Sequence, residues 1–104
     1  MPARFHVIIP PRPLRELVEI CAYIEPHSAQ NAASVAQMLV SSIDSLEILP
    51  HRFNIHEHRR DPAKTVRSMP VPPFVVYYRI DDLRRSVRIL SIRHGARRKP
   101  KRFP

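Results

Sequence analysis

Glycine is nearly missing: the 104 residues hold one, Gly95. That excludes a glycine-rich phosphate loop, which needs several glycines before backbone N–H groups can close on a phosphate. Tryptophan is absent, and Cys21 is the single cysteine. No internal disulfide can form, and the chain suits a reducing compartment. No apolar run approaches the roughly 20 residues that span a bilayer. Pro10-Pro11 end the first apolar run too early for a signal peptide. A cytoplasmic protein with no membrane partner is the expectation. Acidic side chains are scarce as well, nine against 18 Lys and Arg. The shortage is local. Residues 1–50 carry three basic residues against five acidic ones, whereas residues 51–104 carry 15 against four. The net charge of +9 therefore arises in the second half. Such asymmetry is expected where part of a fold faces nucleic acid or an acidic protein segment.

What is present reads as one folded domain. Apolar residues make up 43% and charged residues 26%, the balance of an ordinary globular chain rather than a disordered one. Arg4 to Ile9 is a short strand, stopped by Pro10-Pro11. Leu14, Leu17, Val18, Cys21 and Ile24 recur at helical spacing, which predicts an amphipathic helix from Pro13 to about Glu25. Pro26 ends it. Ser28 is placed to cap a second helix running to about Leu49, with Val35, Leu39, Ile43, Leu46 and Leu49 as its stripe and Met38 beside it. Residues 51–64 show no apolar period and read as a loop.

Strands follow at Thr65 to about Met69, at Phe74–Ile80 and at Val87–Arg93, the last two joined by a polar turn over Asp81–Arg85. Phe74–Ile80 is apolar on both faces, as a central strand should be. The fold class is α+β, β-α-α-β-β-β, a helical hairpin on a small, mostly antiparallel sheet. The domain runs over residues 1–98. Residues 99–104 form a basic tail, expected to be mobile because Phe103 is its only apolar anchor.

The order of elements, with Leu14, Leu17, Ile20 and Ile24 in the first helix, resembles the RelE/ParE toxin superfamily. Leu46-Glu47-Ile48-Leu49-Pro50 is similar to its second-helix ending. Phe74–Ile80 is similar to its central strand, and Val87–Arg93 running into His94-Gly95-Ala96-Arg97-Arg98 to its last one. The resemblance covers residues 4 to about 98. It implies a plasmid-stabilisation toxin, encoded beside a cognate antitoxin that binds and masks it in a hetero-oligomer.

The superfamily splits by target: ribosome-dependent ribonucleases cut messenger RNA, and ParE-like members poison DNA gyrase. Several ribonuclease members carry arginine where this chain has Val75, and the ending from His94 to Arg98 resembles the ParE-like side. The expectation is therefore a gyrase-binding toxin. The alternatives are a ribosome-dependent ribonuclease and a relic that only binds antitoxin or DNA.

Cleavage of RNA would need a base, an acid and cations around the phosphate. His94 is the titratable candidate, Arg67, Arg93 and Arg97 are candidate clamps, and Glu57 is a distant base. Otherwise His94 bonds locally and the arginines form a solvated face. For a binder, Tyr77, Arg79, Arg93, Arg97, Arg98 and Lys99 are the candidate contact residues, and an acidic, partly disordered antitoxin segment is expected to cover the basic half. Tyr77 and Tyr78 point to opposite sheet faces, one under the helices. His56-Glu57-His58 lacks a third ligand type, so neither a metal nor a cofactor is expected. Cys21, on an apolar helix face, reads as a structural thiol.

Overall fold

In the computed structural model, which describes residues 3–95 and 103, the chain opens with a three-residue strand, β1 (His6–Ile8). It then enters helix α1 (Pro11–Ile24), where a proline in the first turn forfeits no intrahelical bond. Leu17, Ile20 and Cys21 turn toward the sheet. Leu14 and Val18, expected in the same stripe, are instead 49% and 60% exposed. The reason is angular. Val18 lies about 100° round the helix from Leu17, and α1 rests on β5 and the second helix along one narrow side only.

Ser28 caps the second helix, α2 (Ala29–Asp44), as expected: its Oγ accepts the Asn31 N–H at 3.1 Å. Leu39, Ile43 and Leu46 are fully buried against the sheet. Each such side chain contributes about 1.5–3 kcal/mol by leaving water. The helix stops short of Leu49. A 3-10 turn takes over at Ser45–Glu47, and Leu49 adopts a left-handed φ of 49°, which leaves its side chain 58% exposed. Arg52 stabilises this ending, its guanidinium donating to the carbonyls of Ser45, Ile48 and Leu49.

The remaining strands are β2 (Ile55–Glu57), β3 (Val66–Val71), β4 (Phe74–Asp81) and β5 (Ser86–His94). They form a five-stranded sheet in the order β1-β5-β4-β3-β2, antiparallel except where β1 runs parallel to β5. The α+β class holds, with one strand more than the sequence suggested. β2 falls inside the expected loop because it is a three-residue edge strand without an apolar period, paired to β3 through an irregular register.

Both open edges are blunted. Pro70 lacks an N–H on the part of β3 that β2 does not reach. On β5, where β1 ends, the Glu16 carboxylate accepts the Ile92 N–H at 3.1 Å and the Ser91 hydroxyl at 3.0 Å. The lone glycine serves a close approach: Gly95 donates to the Pro73 carbonyl at 2.7 Å, and a Cβ there would lie 3.1 Å from that oxygen.

Candidate functional site

The helices cover one sheet face, and the other carries Tyr77, Arg79 and Arg93 of the candidate contact residues. Along β4 the alternation sends Phe74, Val76, Tyr78 and Ile80 toward the helices and Val75, Tyr77 and Arg79 away from them. Register fixes their neighbours. Val75 lies between Pro70 and Arg93, Tyr77 between Ser68 and Ser91, and Arg79 between Val66 and Arg88.

Arg79 and Arg88 thus stand directly opposite each other, an arrangement of like charges that destabilises a sheet. Arg79 shows the strain electrostatically. Burial lowers its pKa, the Arg59 guanidinium lowers it further, the Glu57 carboxylate acts the other way, and Arg88 adds to the lowering. Its Nε donates to the Lys64 carbonyl at 3.2 Å. Arg93 is oriented by Ser91, whose Oγ accepts from its Nε at 3.0 Å. The face therefore concentrates positive charge that an anionic segment would relieve.

Tyr77 lies on this face, but only 3% of it is exposed. Phe103 covers it. The Phe103 ring sits 5.2 Å from Tyr77 and 6.2 Å from His56, with Val66 in the same cluster and Val75 and Leu90 packed against it. Burial raises the Tyr77 pKa, and the nearby Arg93 charge works against that rise. Phe103, the one apolar residue of the tail expected over residues 99–104, is 7% exposed. Residues 99–102 and 104 lie outside the described residues, as do Arg97 and Arg98. Beside Tyr77 an open groove of about 280 Å³ is lined by Phe53, His56, Pro70 and Val75, with Arg52 at its margin.

Of the candidate catalytic residues, His94 and Arg67 are not gathered. His94 ends β5 opposite Phe74, its exposed ring edge-on to that phenylalanine at 5.6 Å. Arg67 is on β3 opposite Tyr78. The two strands flank β4 at positions four residues apart, which separates them by about 13 Å along the strand alone. Arg67 is also engaged, donating to the carbonyls of His51 and Phe53 at 3.0 and 2.7 Å. Glu57 pairs with Arg59 at 2.6 Å and accepts the Phe103 N–H.

A second cleft, of about 200 Å³, is lined by His51, His58, Arg59, Arg60, Thr65 and Arg67 among others. Its His51 is already paired with Asp82 at 2.9 Å. No group of three His, Cys, Asp or Glu among the described residues is placed to hold a metal. Cys21 is half-buried between the helices, its thiol toward the Ala32 carbonyl at 3.8 Å.

Sequence reading missed Arg88, Arg59 and Phe103. Arg88 was recoverable, since Val87 and Ile89 face the helices and the residue between them must face away. Arg59 and Phe103 carried no signal, because both depend on where β2 lies.

Comparison with known proteins places these features in a family. Residues 7–99 match the model of the ParE toxin of the type II toxin–antitoxin system parDE. A solved chromosomal ParDE toxin–antitoxin system from P. aeruginosa is similar, with a TM-score of 0.68, 17% identity, and 88% of this chain and 97% of that one covered. The toxin–antitoxin complex RelBE2 from Mycobacterium tuberculosis is also similar, with a TM-score of 0.60, 23% identity, and coverage of 91% and 95%. Among curated protein sequences none matches.

Proposed function

The chain belongs to the ParE toxin family of type II toxin–antitoxin systems, and from that premise we propose that it arrests growth by binding DNA gyrase. In this reading it acts in the cytoplasm and is neutralised by a cognate antitoxin. Among the described residues, no helix is long and apolar enough to cross a membrane.

One observation carries the choice of binding over RNA cleavage: His94 and Arg67 stand on opposite sides of β4, opposite Phe74 and Tyr78. Acid–base catalysis on a phosphodiester needs its proton-transfer group and its cations at one phosphate, within hydrogen-bond reach. Arg67 is turned to the carbonyls of His51 and Phe53 instead. For neutralisation, the support is the opposed pair Arg79 and Arg88 with Arg59 near them and Arg93 further along the same face, a surface that favours an acidic antitoxin segment. Both similar structures are of toxin–antitoxin systems.

Inducing the toxin in cells, as the wild type and as His94→Gln, tests the reading. Gyrase-linked DNA breaks without cleavage of messenger RNA are expected. The substitution should reduce toxicity only by the equivalent of about 1 kcal/mol of lost contact. In a ribonuclease it would slow cleavage by about 10²–10⁴. Discrete cuts within codons at the ribosomal A site, removed by His94→Gln, would overturn the proposal.

A further inference from the structure

The seat of Phe103 has the parts of a peptide receptor. Its ring is 7% exposed, walled by Tyr77 and His56 and packed in one cluster with Val66. Its main chain is held independently of the ring. The Phe103 N–H donates to Glu57 Oε2 at 3.3 Å, and its carbonyl accepts from the Arg59 guanidinium at 2.9 Å. Glu57 and Arg59 are themselves joined at 2.6 Å, with side chains 17% and 30% exposed. Acceptor and donor are therefore oriented relative to each other, which reduces the ordering that capture requires. Aromatic walls select a ring, and paired main-chain clamps accept an extended segment of any other sequence.

We propose that this slot is a recognition site for an extended peptide segment bearing a phenylalanine and acidic flanks, occupied in the free chain by Phe103. The acidic flanks follow from the surroundings. Arg88 stands directly opposite Arg79, and Arg59 lies close enough to lower the Arg79 pKa further, so anionic neighbours of the captured ring are favoured and cationic ones are not. The chain's own occupant is flanked by Lys99, Lys101 and Arg102. Its charge makes it a replaceable ligand. The site is defined by equilibrium binding to the folded chain, so it stands or falls separately from the gyrase reading.

The test uses the full chain and three labelled hexapeptides: Asp-Pro-Asp-Glu-Phe-Pro, the same peptide with alanine for phenylalanine, and Lys-Pro-Lys-Arg-Phe-Pro. Against the Phe103→Ala chain, the acidic phenylalanine peptide should bind at least about tenfold more tightly than its alanine counterpart, the factor expected for burying one ring. It should also bind more tightly than the basic peptide at low salt, with the gap closing as salt rises. The wild-type chain should bind it at least about tenfold more weakly than Phe103→Ala does, because its own ring competes.

A measurement on the wild type guards against misfolding of the variant. A saturating acidic peptide should move the Tyr77 and His56 ring resonances and release protection of the Phe103 amide. Equal binding of the phenylalanine and alanine peptides, or saturation of the wild type with Phe103 still protected, would overturn the proposal.

Discussion

Reversing Arg79 and Arg88 together to glutamate is expected to weaken the complex with the cognate antitoxin by about 100-fold or more. Hydrogen bonds to charged groups contribute about 1.5–3 kcal/mol each, and 1.4 kcal/mol is a factor of ten in affinity. Losing two such contacts gives the stated factor before any repulsion is added. The effect should shrink as salt rises, since both groups lie on the sheet face away from the helices and are screened.

A single change separates binding from folding. In Arg88→Gln the charge directly opposite Arg79 disappears, so the free protein should gain a few tenths of a kcal/mol in stability while the complex weakens. Opposite signs from one substitution are hard to explain by general damage. Calorimetric titration at two salt concentrations, with thermal unfolding of the free toxin, reads both. A complex of unchanged affinity at low salt would remove this face from the antitoxin interface.

Tyr78 should give a large effect on stability from the loss of one oxygen atom. Its side chain is fully buried under the helices, and its hydroxyl donates to the Pro50 carbonyl at 2.6 Å. Tyr78→Phe keeps the ring but leaves that carbonyl without its partner, a loss of about 1–3 kcal/mol. The same environment sets a pH dependence. Burial pushes the Tyr78 pKa up to about 12, against smaller lowering effects from Arg67 and Arg52.

The unfolded chain releases this proton near pH 10, while the folded chain keeps it until about 12. Stability from Tyr78 is therefore complete below pH 10 and is lost as pH rises toward 12, by about 2–3 kcal/mol in all. Denaturant titrations from pH 9 to 12 should show a fall that is steeper in the wild type than in Tyr78→Phe. Parallel curves for the two proteins would contradict the assignment.

These two residues also mark how far the sequence could be read. Tyr78 and Tyr77 are neighbours in a strand, so alternation alone placed them on opposite faces, and Tyr78 lies beneath the helices. The Ser28 cap was visible for a similar reason, since one side-chain oxygen at a helix start has a defined local partner. Features set by long-range register were not visible. Nothing in Ile55-His56-Glu57 announces a strand, because three residues at an edge need no apolar alternation.

With β2 unseen, the slot for Phe103 was unseen too, and a single ring in a basic tail had no visible destination. The distance between His94 and Arg67 likewise depends on how β3 and β5 pair across β4, which residue types do not reveal. On α1, spacing identified apolar residues but not how much of the helix the sheet would cover, so Leu14 and Val18 were assigned to a core they do not enter.

Titrating purified gyrase with the purified toxin in a DNA supercoiling assay, run beside a ribosome programmed with messenger RNA, distinguishes the two targets in one experiment. Supercoiling is expected to fall and cleaved DNA to accumulate while the messenger stays intact. His94→Gln should keep its potency within about fivefold, the equivalent of about 1 kcal/mol. Undisturbed gyrase alongside messenger cleavage that needs His94 would contradict the proposed binding to gyrase.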